Sequence, residues 1–397
     1  MKEGWEYKKL GDLGTFVRGG NFSKKDFVEN GFPCIHYGQI HMKFGIETFK
    51  HISSVPAGMV KPDRCAHKGD LVIAITSEDD AGSCKCTAWM GDYDVYVGGH
   101  TAIYRHTMQP KYVSYYFMSP FFQKDKLEYT HGFKVVEISP KDIAKITIPV
   151  PPLSEQQSIV DYLDSAFAKI DAMKANAEKA LNKSKALFQA SLKEMLEPKE
   201  GGEEKALCTI VHQDCSLSYG IVQPGDHVEN GIPVVRPVDF NNKVIVGIDG
   251  LKRTKKEISD AYKRTILKGG EILFCVRGTT GTMGLASKEL NGCNVTRGIV
   301  PMFFNEETNL MFVYYQFLSP RLQDEIQKKT TGAALKQINI KDLRNLQLYL
   351  PSLSEQQSIV ETLDSLKSKV DRLQENYDKI SQECDALKQA ILRQIFE

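Results

Sequence analysis

Hydrophobic residues in the last 44 positions of the chain recur with alternating spacings of three and four. The predicted seam there consists of Leu363, Leu366, Val370, Leu373, Tyr377, Ile380, Cys384, Leu387 and Ile391. The same positions 200 residues earlier are Leu163, Ala166, Ile170, Met173, Ala177, Ala180, Ser184, Leu187 and Ser191. This spacing predicts two long helices, each with the apolar stripe of a coiled coil. Since one stripe is bulky and the other mostly small, the two are expected to fit each other.

Both helices are predicted to begin at a capping box. Ser154 and Ser354 would be the N-caps, with Gln157 and Gln357 three residues later. No Gly or Pro follows in the first copy before Pro198, and none follows in the second. Each predicted helix therefore has about 44 residues and a length of roughly 65 Å.

The helices belong to a repeat with an offset of 200 residues. The octapeptide Leu-Ser-Glu-Gln-Gln-Ser-Ile-Val occupies residues 153–160 and again 353–360. Val-Glu-Asn-Gly recurs at 28–31 and 228–231, and Ser-Pro at 119–120 and 319–320. Ungapped identities of this length indicate a tandem duplication of about 200 residues per copy.

Each copy divides into a globular part and a helix. Short strand-like runs, punctuated by Gly, Pro and Asn, indicate a mixed α/β domain. These runs are 70–76, 94–104 and 144–150 in the first copy and 271–276, 295–304 and 343–350 in the second. The predicted segments are a domain at 1–153, a helix at 154–197, a second domain at 198–353 and a second helix at 354–397. The expected fold class is α+β, with pseudo-two-fold symmetry.

The chain order favours pairing of the two helices within one molecule. The second globular domain lies between them, so the second helix is expected to return antiparallel to the first. The fit of a bulky seam to a small one favours this arrangement. The alternative is a coiled coil between two chains, which would make a homodimer.

Charge is unevenly distributed between the helices and the globular parts. Residues 154–197 carry six lysines and seven carboxylates, and residues 354–397 carry six basic and nine acidic side chains. The two segments therefore have a net charge of −4, which leaves +5 on the rest of the chain. Because acidic rods repel phosphate, any contact with a nucleic acid would belong to the globular parts, and their modest positive charge permits such contact without requiring it.

The sequence contains no recognised catalytic signature. A phosphate-binding loop, a His-Glu-x-x-His metal motif and an Asn-Pro-Pro-Tyr methyltransferase tetrapeptide are all missing. The nine scattered cysteines have no framework spacing, so reduced thiols are expected and no metal site is predicted. No leader and no membrane span are expected, which predicts a cytoplasmic protein.

The pattern resembles the specificity subunit of type I restriction-modification systems. Two domains, each followed by Pro-x-Leu-Ser-Glu-Gln-Gln-x-Ile-Val and a long helix, are typical of that family, and the likeness covers nearly the whole chain. Trp5 with Leu10-Gly-Asp-Leu13, and Gly31 with Pro33, also fit its target-recognition domains. The second domain departs from the pattern, because its opening at 206–215 lacks the tryptophan.

The resemblance implies a non-catalytic subunit that recognises a bipartite, asymmetric duplex DNA target. Each domain would bind one half-site, and the helices would fix the gap between the halves. Two methyltransferase subunits would dock on the helices, and restriction and translocation subunits could join them. The chain itself would bind no cofactor, because S-adenosylmethionine and base flipping belong to the methyltransferase.

Candidate DNA contacts are polar and basic residues that differ between the copies, since different half-sites need different contacts. In the first copy they are Arg18, Asn21, Lys24, Lys25, His36, Tyr37, Gln39, Ser77 and Lys85. In the second copy they are Tyr219, Arg236, Arg277, Thr279, Thr280, Thr282, Arg297 and Lys336. The segments 76–85 and 276–282 follow corresponding strands and share no sequence, as expected of loops that contact different bases.

Two other functions remain open on the sequence alone. A scaffold that binds proteins or carbohydrate would shift no duplex in a gel, with or without a methyltransferase. An enzyme with an unrecognised motif would hydrolyse DNA or transfer methyl groups as the isolated chain.

Overall fold

The computed structural model describes residues 4–132, 134–240, 245–332 and 336–397. It contains two compact units. Unit 1 consists of residues 1–177 and 377–397, and unit 2 consists of residues 178–376. Each unit thus combines one globular domain with half of each long helix. This division differs from the four predicted segments, because each long helix contributes one half to unit 1 and the other half to unit 2.

Long helix 1 spans Leu153–Leu196 and long helix 2 spans Leu353–Phe396, and each has 44 residues. The two predicted helices are therefore confirmed. The predicted N-caps are wrong by two residues, since Gln156 N–H already donates to the carbonyl of Pro152, and Gln356 N–H to that of Ser352. Proline at 152 is compatible with this position because the cap uses its carbonyl.

The identical octapeptide has a structural role at the start of each helix. Gln156 is 2% exposed; its side chain donates to the carbonyl of Pro151 and accepts from the N–H of Gln109. Gln356 is equally buried and makes the equivalent bonds to Pro351 and Asn309. Each glutamine thereby joins the helix to the cap of a domain helix, which accounts for the repeated motif without any ligand.

The two long helices pack antiparallel within each unit. In unit 1, Lys388 Nζ lies 2.6 Å from Asp171 Oδ1, and Lys174 Nζ lies 3.4 Å from Asp385 Oδ1. In unit 2, Lys185 donates to Gln374 over 2.7 Å. Since residue numbers rise on one helix as they fall on the other, the predicted intramolecular antiparallel coiled coil is confirmed.

The seam of this coiled coil differs from the predicted one in part. Leu163, Ile170, Leu363 and Val370 are buried, and Leu366, Leu373, Ile380 and Ile391 are half-buried. The prediction is wrong for four positions: Met173, Leu187 and Leu387 are 60%, 58% and 48% exposed, and Ala180 is exposed as well.

The error has a simple cause in long helix 1. Its large buried residues, Phe167, Leu181 and Phe188, lie one position after the predicted 166, 180 and 187. The seam there follows four-three spacing from Leu163, whereas the prediction carried over the three-four spacing of long helix 2. In long helix 2 itself the stripe shifts after Cys384, so that Leu392 is buried and Leu387 is not.

The globular domain of unit 1 is built on two sheets. The five-stranded sheet has Gly14–Arg18, Thr101–His106, Leu71–Ala74, Cys86–Trp89 and Glu47–Thr48 in spatial order. The four-stranded sheet has Ser53–Val55, Phe32–Ile35, Val95–Val97 and Cys65–Ala66 in spatial order. Two-stranded pairs join Glu6–Lys9 to Thr147–Val150 and Thr76–Ser77 to Val136–Glu137. The α-helices are Leu10–Leu13, Tyr37–Met42, Pro110–Met118, Pro120–Asp125 and Pro140–Ile143, and the 3-10 turns are Lys24–Asp26, Ala57–Met59, Pro62–Arg64 and Lys126–Glu128.

The globular domain of unit 2 repeats this plan. Its sheets are Lys252–Thr254, Ile232–Val235 and Asn294–Val295, and Ile245–Val246, Met283–Ala286, Ile272–Cys275 and Ile299–Met302. Glu203–Ala206 pairs with Gln347–Leu350. The α-helices are Leu207–Ile210, Lys256–Asp260, Leu310–Leu318, Pro320–Lys329 and Ile340–Arg344, with 3-10 turns at Pro237–Phe240, Lys263–Thr265 and Lys288–Leu290.

Strand pairing confirms that the copies share one topology. Phe32–Ile35 runs parallel to Val95–Val97, and Ile232–Val235 runs parallel to Asn294–Val295. The strand at 203–206 takes the place of the one at 6–9, so the second domain opens in the same way without the tryptophan. The predicted strand at 94–104 is wrong as one element. A turn at Gly98–His100 divides it, with His100 at φ 62°.

One half-buried histidine, His106, whose two ring nitrogens are buried, makes the stability of unit 1 depend on pH. Burial lowers the pKa of His106 to about 4. Between pH 6.5 and 4 the unfolded chain binds a proton that the folded chain does not bind, so stability falls as pH falls through this window. From pH 7 to 5 the expected loss is about 2 kcal/mol.

The measurement is the urea dependence of unfolding at pH 7 and pH 5. His106→Phe, which keeps an aromatic ring against Tyr104, should remove about 2 kcal/mol of the pH dependence. His131→Phe, at an exposed position, is the matched control. An unchanged pH dependence in His106→Phe would show that other groups carry the effect.

Candidate nucleic-acid interface

In unit 1 several predicted contacts surround one groove. The groove has a volume of about 1250 Å³ and is lined by the helix at 37–42, the loop 76–86 and His100, together with residues of the helices at 110–125. Tyr37, Ser77 and Lys85, which the sequence placed among the DNA contacts, line it. The groove is open, and its lining is mostly apolar with a few polar groups. It can therefore accept a planar group such as a base.

Aromatic rings form one wall of this groove. The ring of Tyr37 lies 4.4 Å from that of His36, 5.4 Å from that of His100 and 6.1 Å from that of His41. Burial lowers the pKa of His36, and the charges of His100 and Lys24 lower it further. A neutral imidazole can both accept and donate a hydrogen bond, which suits contact with a base edge or a phosphate.

The loop 76–85 forms the opposite wall and is held by internal bonds. Lys85 donates to the carbonyl of His41 over 2.7 Å, and His41 Nε2 lies 3.2 Å from the carbonyl oxygen of Thr76. Asp79 accepts from the N–H of Gly82 over 2.7 Å. These bonds join the loop to the helix at 37–42, so the two walls form one rigid structure.

A buried lysine holds the base of the same loop. Lys126 is 1% exposed, and its ammonium donates to the carbonyls of Asp80 and Ser83 over 2.6 Å each. Burial lowers the pKa of Lys126. A charged donor thus satisfies the buried carbonyl of Ser83. It also adds to the bonds that the carbonyl of Asp80 accepts from the N–H and the hydroxyl of Ser83.

The other predicted contacts of unit 1 have different environments. Asn21, Lys24 and Lys25 are exposed, and Arg18 forms an ion pair with Glu137 over 2.8 Å. Gln39 is 9% exposed, accepts from the N–H of His36 and donates to Ser53 Oγ. The predicted DNA contact Gln39 is thus engaged within the domain, because Oε1 caps the helix at 37–42 and Nε2 bonds Ser53.

Backbone bonds define which residues of unit 2 correspond to this loop. The N–H of Ile138 donates to the carbonyl of Ile75, and the N–H of Ile338 donates to that of Val276. The N–H of Cys84 donates to the carbonyl of Ala74, and the N–H of Gly281 donates to that of Cys275.

Both Cys84 and Gly281 have positive φ, at 62° and 92°. The loop of unit 1 therefore spans 76–83 and that of unit 2 only 277–280. The glycine adopts this conformation without strain, and the cysteine takes it at the end of a longer loop.

Equivalent positions around the loops carry different residues. Arg18 and Tyr219 are equivalent, since Gly20 and Ile221, two residues later, donate to the matched strand residues Val97 and Val295. By the loop correspondence, Lys85 corresponds to Thr282. Lys126 corresponds to Ile326, because each is the seventh residue after the repeated Ser-Pro serine, Ser119 or Ser319.

The first residues after the parallel strands also correspond. His36 and Arg236 each follow such a strand, and their N–H groups donate to the side chains of Gln39 and Asp239. The scaffold is therefore common to both units, whereas the exposed side chains differ.

The predicted contacts of unit 2 differ in exposure and in hydrogen-bond partners. Arg236 forms a two-point pair with Asp239, with distances of 3.1 and 2.7 Å. Tyr219 Oη accepts from the N–H of Ile340. Arg297, Thr279 and Thr282 are exposed, whereas Arg277 and Thr280 are half-buried. Thr280 donates to the carbonyl of Lys336, an exposed residue, over 3.0 Å.

Sequence reasoning missed several residues of the groove. His41 and Met42 follow Tyr37 on its helix, and Met42 is 79% exposed. His100 comes from the turn inside the region predicted as one strand. The sequence did not indicate either element, because the helix at 37–42 and the turn are both too short to show a hydrophobic period.

A second cluster of polar groups lies away from the groove. Ligand atoms of Cys65, His67 and Asp94 lie within 4.8 Å of one another. His67 Nδ1 is 2.7 Å from Asp94 Oδ1, and Cys65 Sγ donates to the carbonyl of Pro62. The three groups are thus engaged with one another and with backbone.

Comparison with known proteins identifies the family. The model of the type I restriction modification DNA specificity domain matches residues 2–183 and 224–382. The chain belongs to this family. The two matched stretches lie in the two copies of the repeat. Among the described residues, no helix is long and apolar enough to cross a membrane.

Relatives in curated collections are similar over much of the chain. The specificity subunit of the type I restriction enzyme EcoBI from Escherichia coli is 28% identical over 291 residues, which is 67% of this chain and 61% of that protein. The StySPI specificity subunit from Salmonella potsdam is 22% identical, covering all of this chain and 89% of that protein. The putative MjaX specificity subunit from Methanocaldococcus jannaschii is 24% identical over 92% of this chain and 87% of that protein.

Solved structures support the fold. A chain from a study of complex assembly and conformational transition of the type I R-M system has a TM-score of 0.79 at 20% identity, covering 100% of this chain and 98% of that one. The HsdS subunit from Thermoanaerobacter tengcongensis has a TM-score of 0.58 at 19% identity, covering 100% and 97%. At these identities the likeness concerns the fold alone.

Proposed function

We propose that this chain is the DNA-recognition subunit of a type I restriction-modification complex and binds a bipartite, asymmetric duplex target. Unit 1 binds one half-site and unit 2 binds the other. The observation that carries the proposal is the repeated scaffold with different loops. Thr76–Ser83 and Arg277–Thr280 leave equivalent strands and differ in length and in sequence. One scaffold with two loop sets suits two different half-sites.

The charge distribution supports DNA binding by the domains. The helical segments carry the net acidity, and the globular parts carry the net +5. Phosphate contacts require lysine or arginine, and the exposed candidates Lys24, Lys25 and Lys336 can provide them.

The long helices join the two recognition domains and offer surfaces for partner proteins. Exposed apolar side chains along them, among them Tyr162, Met173 and Leu187, suit contact with another protein. We propose that two methyltransferase subunits bind there, and that restriction and translocation subunits complete the restriction complex.

Methyl transfer then takes place on the methyltransferase, which carries S-adenosylmethionine. In this cytoplasmic complex the recognition chain needs neither a cofactor nor a metal.

Selective retention of genomic DNA tests the proposal. The purified complex of the chain with methyltransferase subunits would be mixed with fragmented genomic DNA at moderate salt, and the retained fragments would be sequenced. We expect a small set of fragments that share two specified blocks separated by an unspecified gap. Equal retention of all fragments, or the same set with methyltransferase alone, would sink the proposal.

A further inference from the structure

We propose that the half-site bound by unit 2 contains at least two G·C pairs, whose guanines are contacted by Arg277 and Arg297. This inference rests on the proposed function and adds the chemistry of one half of the target. Arginine binds guanine O6 and N7 through two parallel hydrogen bonds in the major groove, and this is the commonest specific contact between protein and base.

Three arginine-bearing segments of unit 2 converge on one point. A Cβ built on Gly298 would lie 2.9 Å from Pro237 Cγ and 3.8 Å from the carbonyl oxygen of Arg277. Gly298 directly follows Arg297, and Pro237 directly follows Arg236. The absence of a side chain at 298 therefore allows the three segments to come together.

The three arginines have different freedom. The guanidinium of Arg236 is fixed by the two-point pair with Asp239. Within residues 4–132, 134–240, 245–332 and 336–397, no hydrogen bond or ion pair engages the guanidinium of Arg277 or Arg297. These two forks are therefore available for a ligand, whereas Arg236 adds positive charge in a fixed position beside them.

The backbone around Arg277 is rigid, as base recognition requires. Arg277 forms a β-bridge with Gln337, and the next residue, Gly278, donates to the carbonyl of Lys336. The N–H of Val276 donates to the carbonyl of Gly298, and this bond joins the segment of Arg277 to the turn that carries Arg297. A planar fork on a fixed backbone loses little conformational entropy on binding.

Unit 1 carries no arginine at the equivalent positions. Thr76, which pairs with Glu137 as Arg277 pairs with Gln337, is 4% exposed. Gly99 takes the place of Arg297, and the rings of Tyr37 and His100 meet where Pro237 and Gly298 meet. The same scaffold therefore presents rings in one unit and guanidinium groups in the other, so the guanine preference belongs to unit 2.

Base-by-base binding measurements test the inference. The target blocks are first taken from the fragments that the wild-type complex retains. Duplexes with each base pair replaced in turn are then titrated by fluorescence anisotropy, at two salt concentrations, with the complex of the full chain. The variants are Arg277→Gln and Arg297→Gln. Arg372→Gln, at an exposed site on long helix 2 of the same unit, removes an equal charge and serves as the control.

We expect each loop variant to lose discrimination at one G·C pair of the same block, by roughly 5- to 150-fold. The salt dependence of binding should stay unchanged, as should discrimination in the other block. Arg372→Gln should behave as wild type.

Uniform weakening of all duplexes with a salt slope reduced by about one would assign the arginines to phosphates and overturn the inference. Loss of discrimination at A·T pairs, or unchanged discrimination at every pair, would overturn the inference as well. All of these outcomes leave the two-block target intact, whereas the absence of selective retention would contradict the proposed function itself.

Discussion

Replacing Leu363 by aspartate should unfold the helix pair of unit 2 and abolish selective DNA retention. Leu363 is 0% exposed and belongs to the core cluster that joins Phe188 and Leu192 to the globular domain. Removal of a buried leucine costs about 3 to 5 kcal/mol, and an unpaired buried carboxylate adds to that cost. The measurements are thermal unfolding followed by circular dichroism, and retention of genomic fragments by the complex.

Leu387→Asp is the matched control for this variant. Leu387 lies on the same helix and was predicted to face the same seam, yet it is 48% exposed. Its replacement should change the free energy of unfolding by no more than about 0.5 kcal/mol. Equal destabilisation by the two variants would mean that the seam follows the three-four spacing throughout, against the structure.

Replacing Lys126 by isoleucine should disturb recognition by unit 1 alone. The variant carries the residue that unit 2 has at the equivalent position, Ile326, which is also 1% exposed. In unit 2 the shorter loop needs only apolar contact there, since the position of a Cβ on Gly281 is 3.6 Å from Ile326 Cγ2. In unit 1 the longer loop turns the carbonyls of Asp80 and Ser83 inward, and isoleucine cannot bond them.

The expected cost in unit 1 is roughly 1 to 3 kcal/mol, because the buried carbonyl of Ser83 is left without a donor. The carbonyl of Asp80 still accepts from the N–H and the hydroxyl of Ser83. The loop 76–83 should lose its fixed shape. Binding discrimination should fall in one block of the target and remain in the other. Lys124→Ile removes a charge from an exposed neighbouring position and should change neither stability nor discrimination.

Equal loss of discrimination in both blocks would contradict the assignment of this loop to one half-site. Full stability of Lys126→Ile would show that the carbonyl of Ser83 finds another partner. Urea unfolding and the anisotropy titrations separate these outcomes.

The long helices and the duplication could be predicted from sequence because their signals are long. Forty-four residues without Gly or Pro and an exact octapeptide repeat leave few alternatives. The phase of the seam could not be predicted equally well. In long helix 1 both Ala166 and Phe167, and both Leu187 and Phe188, are apolar, so the sequence does not show which member of each pair is buried.

Of the residues that line the groove, the sequence predicted only Tyr37, Ser77 and Lys85. Gln39 belongs to a residue type that reads bases, yet it caps a helix, because the choice depends on a contact with Ser53 fourteen residues later. Lys126 lies in a short polar stretch that predicts an exposed side chain. Its burial depends on the loop 76–83, which is distant in sequence, so no local pattern could indicate it.

The most direct test of the central claim is the adenine methylation pattern of a host that carries this chain with its methyltransferase. Long-read sequencing would be compared with a host that carries the methyltransferase alone. Two units with different loops predict one asymmetric motif, with two specified blocks, an unspecified gap of fixed length and methylation that depends on this chain. A single continuous block, two identical inverted blocks, or a pattern unchanged without the chain would contradict the account.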